Sequence, residues 1–596
     1  MFSAKILDKL FSYLNKHWVS TEIELGNSVR KTFSIYVDGL ESEILKATYN
    51  YYMAEGKKFR EEYNDLDYIH KVHSVLEFEN EKIIPNFNRL SQFKILEKIY
   101  ACLVTPHIDL FENVFLTLLE NNRNNEHSMI YKILLQSQMD LSRFNVIFKT
   151  FVTKRGASAL GALFDQSADT LNPSEFVDTC MEIYNTYISL IDFAFAGDKE
   201  FKSSLDLACK SFVNNTTLYK GKKTSPAEIL ASFADHIIKQ GFKVETNDSN
   251  LNRHFDNIIT VMRFIEDKDA FKDFYRRGLA RRLISDLSSS FEAEQNMISK
   301  LKDACGYDFT NKLTLMFRDM DISQELNSYF IESLESKCNM DFYFKILNTA
   351  AWPLAASSEN FNLPEDLSSL AKKYESFYTQ RNQGRKLHWL YQHSKVEVSI
   401  TLPSPKSNPR YTYTFIVSTF QYTILSMFNK ASAGLKYEEI LETTKLSKNI
   451  VDSALEIFLK ARLILITSSN TKPQNTRASR PVFEPGMTFA LNVNFKSNRL
   501  KINLNVPLRS EKKNESVQAH KAVSVNHQMS IQASIVRVMK TRKVATHNVL
   551  VNEVINQLEN RFKPTIQEIK SAIDTLLEKE YIERSPDDNS TYNYLA

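Results

Sequence analysis

Through its first half the chain sets apolar residues at helical spacing. Leu96, Ile99, Tyr100 and Leu103 stand at i, i+3, i+4 and i+7, and Phe111, Val114, Phe115 and Leu118 repeat the interval, with Pro106 between the two runs. The pattern predicts antiparallel helices joined by short turns, each burying one stripe in a shared core. From Asp267 a different helical unit begins. Phe271, Tyr275, Leu279 and Leu283 form one long apolar stripe, and Arg276, Arg277, Arg281 and Arg282 beside it read as a solvated basic edge.

The period then changes. Phe342 to Thr349, Lys395 to Leu402 and Arg410 to Ser418 read as strands of a small mixed sheet, the last two separated by a Pro/Ser/Asn turn cluster. From Thr419 onward one phrase occurs twice. The first copy runs through Phe420, Ile424 and Phe428 to Ile466, the second from Ile531 to Glu583, and each predicts three helices closing into a strand, a winged-helix pattern. Between them, Ser468 to Gly486 has the composition of a mobile loop, Phe489–Phe495 and Leu500–Val506 are expected to pair as a hairpin, and Arg509 to Asn526 reads as a polar tether.

Within the second copy, Ile531, Ile535, Val538 and Met539 define one buried helical face. At about 100° per residue Lys540 falls opposite Ile531, so its amine should stand in water among Arg537, Arg542 and Lys543.

Composition narrows the function classes. A chain of 596 residues with 43% hydrophobic content has enough apolar surface for several cores. A formal charge of +4 on so long a chain gives no overall footprint for nucleic acid. Thirteen glycines are few, which suits long helices and disfavours glycine-rich phosphate loops. Cys102, Cys180, Cys209, Cys305 and Cys338 never approach Cys-x-x-Cys spacing, and the start lacks a signal peptide, which points to a reducing interior. No uninterrupted apolar stretch reaches about 20 residues, so a soluble protein is expected.

Catalytic signatures do not occur: there is no GxxxxGK[ST], HExxH, CxxC pair or GxSxG. His70 with His73, and His388 with His393, have no neighbouring cysteines, a poor zinc signal. Cys305 is expected to be a small core residue. No catalytic residue, metal site or cofactor is expected.

The segments IVRVMKTRK (535–543), RFKPTIQEIKSAIDTLLEKEYIERSPDDNSTYNYLA (561–596), DKDAFKDFYRRGLARRL (267–283) and MISKLKDACGYDFTNKL (297–313) together resemble the cullins, scaffolds of multi-subunit ubiquitin ligases. The terminal Tyr-Leu-Ala and Gly384-Arg-Lys-Leu-His-Trp-Leu-Tyr391 are most similar to the SCF-type branch. The resemblance implies a mainly α chain: stacked helical cullin repeats, a helical bundle, a small α/β domain and winged-helix units. It implies a non-catalytic scaffold in the cytoplasm and nucleus that brings a substrate adaptor and a RING-bound ubiquitin-conjugating enzyme together. Lys540, the lysine of IVR-x-MK, is then the acceptor of the ubiquitin-like modifier attached in neddylation. An Rbx-type RING protein would add a strand to the sheet around Val396, Val398, Ile400, Tyr411, Tyr413 and Phe415. The other partners implied are the modifier, its conjugating enzyme, and a Skp-type adaptor with its F-box protein.

By the same resemblance, residues 1–31 are a remnant of the first repeat, 32–148 a shortened repeat, 149–262 a repeat and 263–340 the bundle. Residues 341–506 are the α/β domain with the first winged-helix unit, 507–526 the tether, and 527–596 the winged-helix domain with Lys540. Most of the first repeat, which carries the adaptor-gripping helices in the family, has no counterpart before Phe2, and a second block is missing after Lys31. Two alternatives follow: a truncated regulatory cullin that binds the RING partner but not the adaptor, and a winged-helix DNA-binding protein. Against the latter, Thr565 to Thr575 mixes acids with few bases, and neither nucleic acid nor a membrane is expected as a partner.

Overall fold

The computed structural model describes residues 41–83, 89–121, 123–166, 171–219, 224–240, 248–287, 290–334, 340–354, 361–402, 411–429, 434–468, 483–493, 495–497, 499–505, 509–586, 588 and 590–595. The expected remnant at 1–31 lies outside them, as does most of the expected loop at 468–486. The chain divides into two compact units, residues 1–233 with 260–266, and residues 234–259 with 267–596.

Among its described residues the first unit is helical, with no strand. It contains α1 (Ser42–Glu62), α2 (Asp65–Phe78), α3 (Arg89–Leu103), α4 (Ile108–Asn121), α5 (Asn124–Gln136), α6 (Ser142–Gln166), α7 (Pro173–Ala194), α8 (Lys199–Val213) and α9 (Thr216–Tyr219). α10 (Pro226–Gln240) and α11 (Asp248–Phe264) each contribute residues to both units. The stripes read from the sequence are buried: Ile99 and Leu103 on α3, Phe111, Val114, Phe115 and Leu118 on α4. Ser91–Asn121 is long and apolar enough to cross a membrane by length and composition, but a turn at Thr105–His107 breaks it and half of its most apolar window is buried. The helices pack differently from the pairing expected: α3 lies mainly on α1, and α4 on α5 and α6.

The boundary expected at 148/149 falls inside α6. Phe144, Phe148, Val152, Leu160 and Phe164 keep a four-residue stripe through that point, all buried, so nothing interrupts the helix. α6 packs most extensively on α8. Around them Phe115, Phe144, Phe148, Phe195 and Phe201 form an aromatic core, with the Phe195 and Phe201 centroids 4.3 Å apart. Asp198 caps α8, accepting from the Glu200 and Phe201 amides at 2.7 and 3.2 Å, while its other oxygen accepts from Tyr131 Oη at 2.9 Å.

The second unit opens with α12 (Lys268–Ser285), α13 (Phe291–Cys305) and α14 (Tyr307–Ser333), followed by α15 (Glu365–Arg381). The stripe on α12 is buried as expected, but its basic edge is not wholly solvated. Arg282 lies three residues after Leu279 and seven after Tyr275, on the buried face, and is fully enclosed. Arg276 is largely covered and pairs with Asp273 at 3.2 Å. Cys305, expected in the core, is half-buried at the end of α13, and burial raises its thiol pKa.

Phe342 to Thr349, expected as a strand, is extended without strand pairing. Side chains of α14 take the place of the missing strand: Asn327 bonds both the amide and the carbonyl of Phe344 at 2.8 and 2.6 Å, and Ser323 Oγ accepts from the Ile346 amide at 2.7 Å. The segment's aromatic residues pack with Phe330, Tyr374 and Trp389.

β1 (Val396–Leu402) and β2 (Tyr411–Val417), expected as strands of one small sheet, pair antiparallel, with Val398 opposite Phe415 and Ile400 opposite Tyr413. Then follow α16 (Thr419–Met427), β3 (Leu435–Lys436), α17 (Tyr437–Thr444), α18 (Lys448–Lys460), β4 (Ile464–Ser468), β5 (Thr488–Leu491) and β6 (Lys501–Asn503). β5 sits between β3 and β4, whereas β6 runs parallel to β2, so the expected hairpin of these two segments does not form. Each segment finds its partner in another layer: Phe489 seals the winged-helix core, and Ile502 packs beside Phe415.

The last part comprises α19 (Arg509–Arg542), β7 (Val544–Thr546), α20 (His547–Leu558), α21 (Ile566–Glu578), β8 (Ile582–Arg584) and β9 (Thr591–Tyr594), with sheet order β7-β9-β8. The order repeats that of β3-β5-β4, so both copies of the phrase are winged-helix units. Thr565 and Glu568 form the capping box that starts α21. Residues 509–526, expected as a tether, are the first turns of α19. Ala519 and Val523 are buried, His520 packs on Phe274 with centroids 5.1 Å apart, and Asn526 donates to Asp273 at 2.8 Å. His520 on Phe274 and Asn526 to Asp273 hold this segment on α12, with Ala519 and Val523 buried within an otherwise polar composition.

Candidate modification site and sheet edge

Helix α19 places Lys540 by its opposite face. Ile531, Ile535, Val538 and Met539 are at most 3% exposed and pack with Leu550, Val554, Ile569 and Ile573, which leaves the Lys540 side chain in solvent. The hydrophobic stripe fixes the rotation of the helix, and the helix fixes the lysine.

Its basic neighbours are not equivalent. Arg542 pairs with Glu553 on α20. Lys543 leaves the helix with φ +68°, its amide closing on the Met539 carbonyl at 2.7 Å and its carbonyl accepting from the Tyr594 amide at 2.9 Å. Its ammonium lies 4.9 Å from the Tyr594 ring centroid. Arg537 and Lys540 are exposed one turn apart, and Lys540 makes no hydrogen bond or ion pair among the described residues. Sequence reasoning grouped the four cations; the sheet that closes the wing separates them.

The sheet of β1, β2 and β6 has β1 at one edge among the described residues. Val396, Val398 and Ile400 are half-buried against the α/β core, while Glu397 and Ser399 face outward. Tyr413 and Phe415 are buried in that core, and Tyr411 stands opposite Leu402. These six residues therefore meet in one sheet, but what β1 can present to another chain is its backbone edge, with the Tyr413 and Phe415 side chains turned to the core. Among the described residues no three His, Cys, Asp or Glu side chains converge as a metal site.

The Cullin alpha solenoid domain model matches residues 4–327, the Cullin alpha+beta domain model residues 346–495, and the Cullin protein neddylation domain model residues 526–588. The chain belongs to the cullin family. This cullin is 33% identical to Cullin-1 of Schizosaccharomyces pombe over 582 residues, covering 97% of this chain and 73% of that protein. It is 33% identical to Cullin-1 of Dictyostelium discoideum, covering 98% and 75%, and 26% identical to Cell division control protein 53 of Saccharomyces cerevisiae, covering 98% and 76%. Lys540 lies inside the segment matched by the neddylation domain model.

A further group escaped sequence reasoning. Arg282 meets Glu294 of α13 and Asp235 of α10, the latter at 2.7 Å, inside the second unit. Burial alone would raise the Asp235 pKa, but Arg282 and Lys239 hold it below the usual carboxylate value. The i+3 and i+7 spacing of Arg282 from the apolar stripe was the available signal.

Proposed function

We propose that this cullin is the non-catalytic scaffold of an SCF-like RING ubiquitin ligase, activated by attachment of the ubiquitin-like modifier of neddylation to Lys540. The carrying observation is an unengaged, exposed lysine on a rigid helix inside the segment that matches the neddylation domain model. In that step the Lys540 amine attacks the thioester carbonyl of the modifier on its conjugating enzyme, an amide forms, and the enzyme's thiol leaves. The scaffold contributes proximity, turning encounters between bound partners into nearly intramolecular events. The helical packing within each unit suits that role.

The edge of β1, unpaired among the described residues, supports docking of an extended strand from an Rbx-type RING partner. The Cullin-1 relatives support a Skp-type adaptor with its F-box protein as the other partner. A DNA-reading role is disfavoured by α21, whose exposed face carries Glu568, Asp574 and Glu578 against Lys570.

The test of the acceptor is reconstituted neddylation of the full chain. Lys540→Arg is expected to abolish the main mono-modified product and Lys543→Arg to leave it; a product that survives Lys540→Arg overturns the assignment. For the RING partner, hydrogen exchange at Val396–Leu402 should slow in the purified complex, and unchanged exchange there would move the docking site elsewhere. Stoichiometric capture of a Skp-type adaptor supports the complete scaffold. Capture of the RING partner without any adaptor supports a chain that sequesters it.

A further inference from the structure

We propose that His527 is a proton-operated latch holding the last winged-helix unit on the N-terminal end of α12. Three contacts make the docking. His527 Nε2 lies 3.3 Å from Asp267 Oδ1, Arg561 pairs with Asp269 at 2.7 Å, and the Lys268 amide donates to the Arg561 carbonyl at 2.9 Å. The imidazole is 13% exposed and lies flat on the Phe562 ring, with centroids 3.8 Å apart and planes 8° from parallel. The ring is thus clamped between the α20–α21 connection and the first turn of α12.

The charges around it decide its state. The charged groups acting on His527 are Asp267 and Asp269 at the start of α12 and Glu568 from α21, with Arg561 of the connection paired to Asp269. Arg561 already answers Asp269. Asp267 is the N-cap of α12, accepting from the Ala270 amide at 2.8 Å, and its full negative charge outweighs the roughly half positive charge of the helix end behind it. What remains for Asp267 is a partner that is a cation only when protonated.

Burial by itself would lower the His527 pKa, but the Asp267 carboxylate, with Asp269 and Glu568 further out, holds it above its ordinary value of 6.5. A base whose folded pKa is raised contributes stability fully below 6.5 and loses it as pH rises through the raised value. The latch is therefore closed below about pH 6.5 and weakened as pH rises through the raised value. Lys540 stands further along the same helix, so the latch would also govern how freely the acceptor's unit moves, a consequence that rests on the proposed function while the latch itself does not.

The test is hydrogen exchange of the full, unmodified chain across about pH 6 to 8.5, corrected for the intrinsic pH dependence of exchange, read at the Lys268 amide and in peptides spanning Asp267–Tyr275. Protection should fall roughly tenfold over that range in the unaltered chain, the effect of one partly buried charge-assisted contact. His527→Arg keeps a permanent cation and should hold protection high and flat. His527→Phe keeps the ring stack without the charge and should be low and flat. Asp267→Asn retains the cap, since Asn caps as well as Asp, and should also lose the pH dependence. Flat protection in the unaltered chain, or an undiminished slope in His527→Phe or Asp267→Asn, overturns the proposal.

Discussion

Arg282 donates twice to Glu294, Nε to Oε1 at 2.5 Å and Nη2 to Oε2 at 2.9 Å, with both side chains fully buried. Glu294 is thereby answered by a fork that matches both of its oxygens, and Asp235 takes the remaining face of the guanidinium. Removing one member leaves a buried charge without its partner. Arg282→Met should destabilise the second unit by about 3–5 kcal/mol, whereas Arg282→Met with Glu294→Leu should recover most of that loss, because Asp235 keeps Lys239 at 2.5 Å. Calorimetric melting of the two variants checks this. Equal destabilisation by both would mean the pair stabilises through its geometry and not through mutual neutralisation.

Gly156 sits in the middle of α6, where alanine ordinarily stabilises a helix by up to about 1 kcal/mol. Here a Cβ would come within 2.3 Å of the buried Phe212 ring on α8. Gly156→Ala should therefore destabilise the first unit, by roughly 1–3 kcal/mol. Its denaturant midpoint, compared with that of Ala157→Gly on the same helix, is the measurement, and a raised midpoint for Gly156→Ala would contradict the close α6–α8 approach.

His127 is wholly buried between Phe115 and Phe195, with no aligned hydrogen bond to either ring nitrogen. Burial pushes its pKa down from 6.5 to about 4, offset only in part by the Leu118 carbonyl and Glu126. The unfolded chain thus binds the proton first. Stability is fully present above 6.5 and is lost as pH falls toward 4. His127→Phe should flatten that part of the acid-denaturation profile of the first unit. An unchanged profile would place the acid sensitivity on other groups.

Tyr594 occupies the Lys543 ammonium, an interaction of about 0.5–1 kcal/mol at an exposed site. Tyr594→Leu keeps the apolar contact with the core and releases that lysine. Mass spectrometry of the neddylated variant should find Lys540 still the main acceptor with a minor product at Lys543. If Lys543 remains unmodified, its left-handed backbone, and not the aromatic ring, is what excludes it.

Much of this architecture was legible in one dimension, because periodicity reports which side of an element is dry. The stripes of α3, α4 and α12, the strands β1 and β2, both winged-helix triplets and the outward side of Lys540 all follow from local spacing. Local spacing alone places the lysine opposite Ile531 and away from Ile535, since a helix has one rotation that buries that face. What spacing does not carry is the identity of a partner distant in the chain. The sheet placements of β5 and β6, the extended segment at Phe344 satisfied by Asn327 and the two carboxylates around Arg282, Glu294 buried and Asp235 partly so, were settled by packing. So was the helical course of Arg509 to Asn526, where Ala519 and Val523 are too small and too sparse to announce a buried face until α12 is laid against them. The sequence by itself determined the amphipathic helices of the first unit, the two winged-helix triplets, their dry faces and the lysine that faces water. Tertiary structure decided which polar groups are paired, because a hydrogen bond or an ion pair is set by distance in space, and that distance is created only when the faces close.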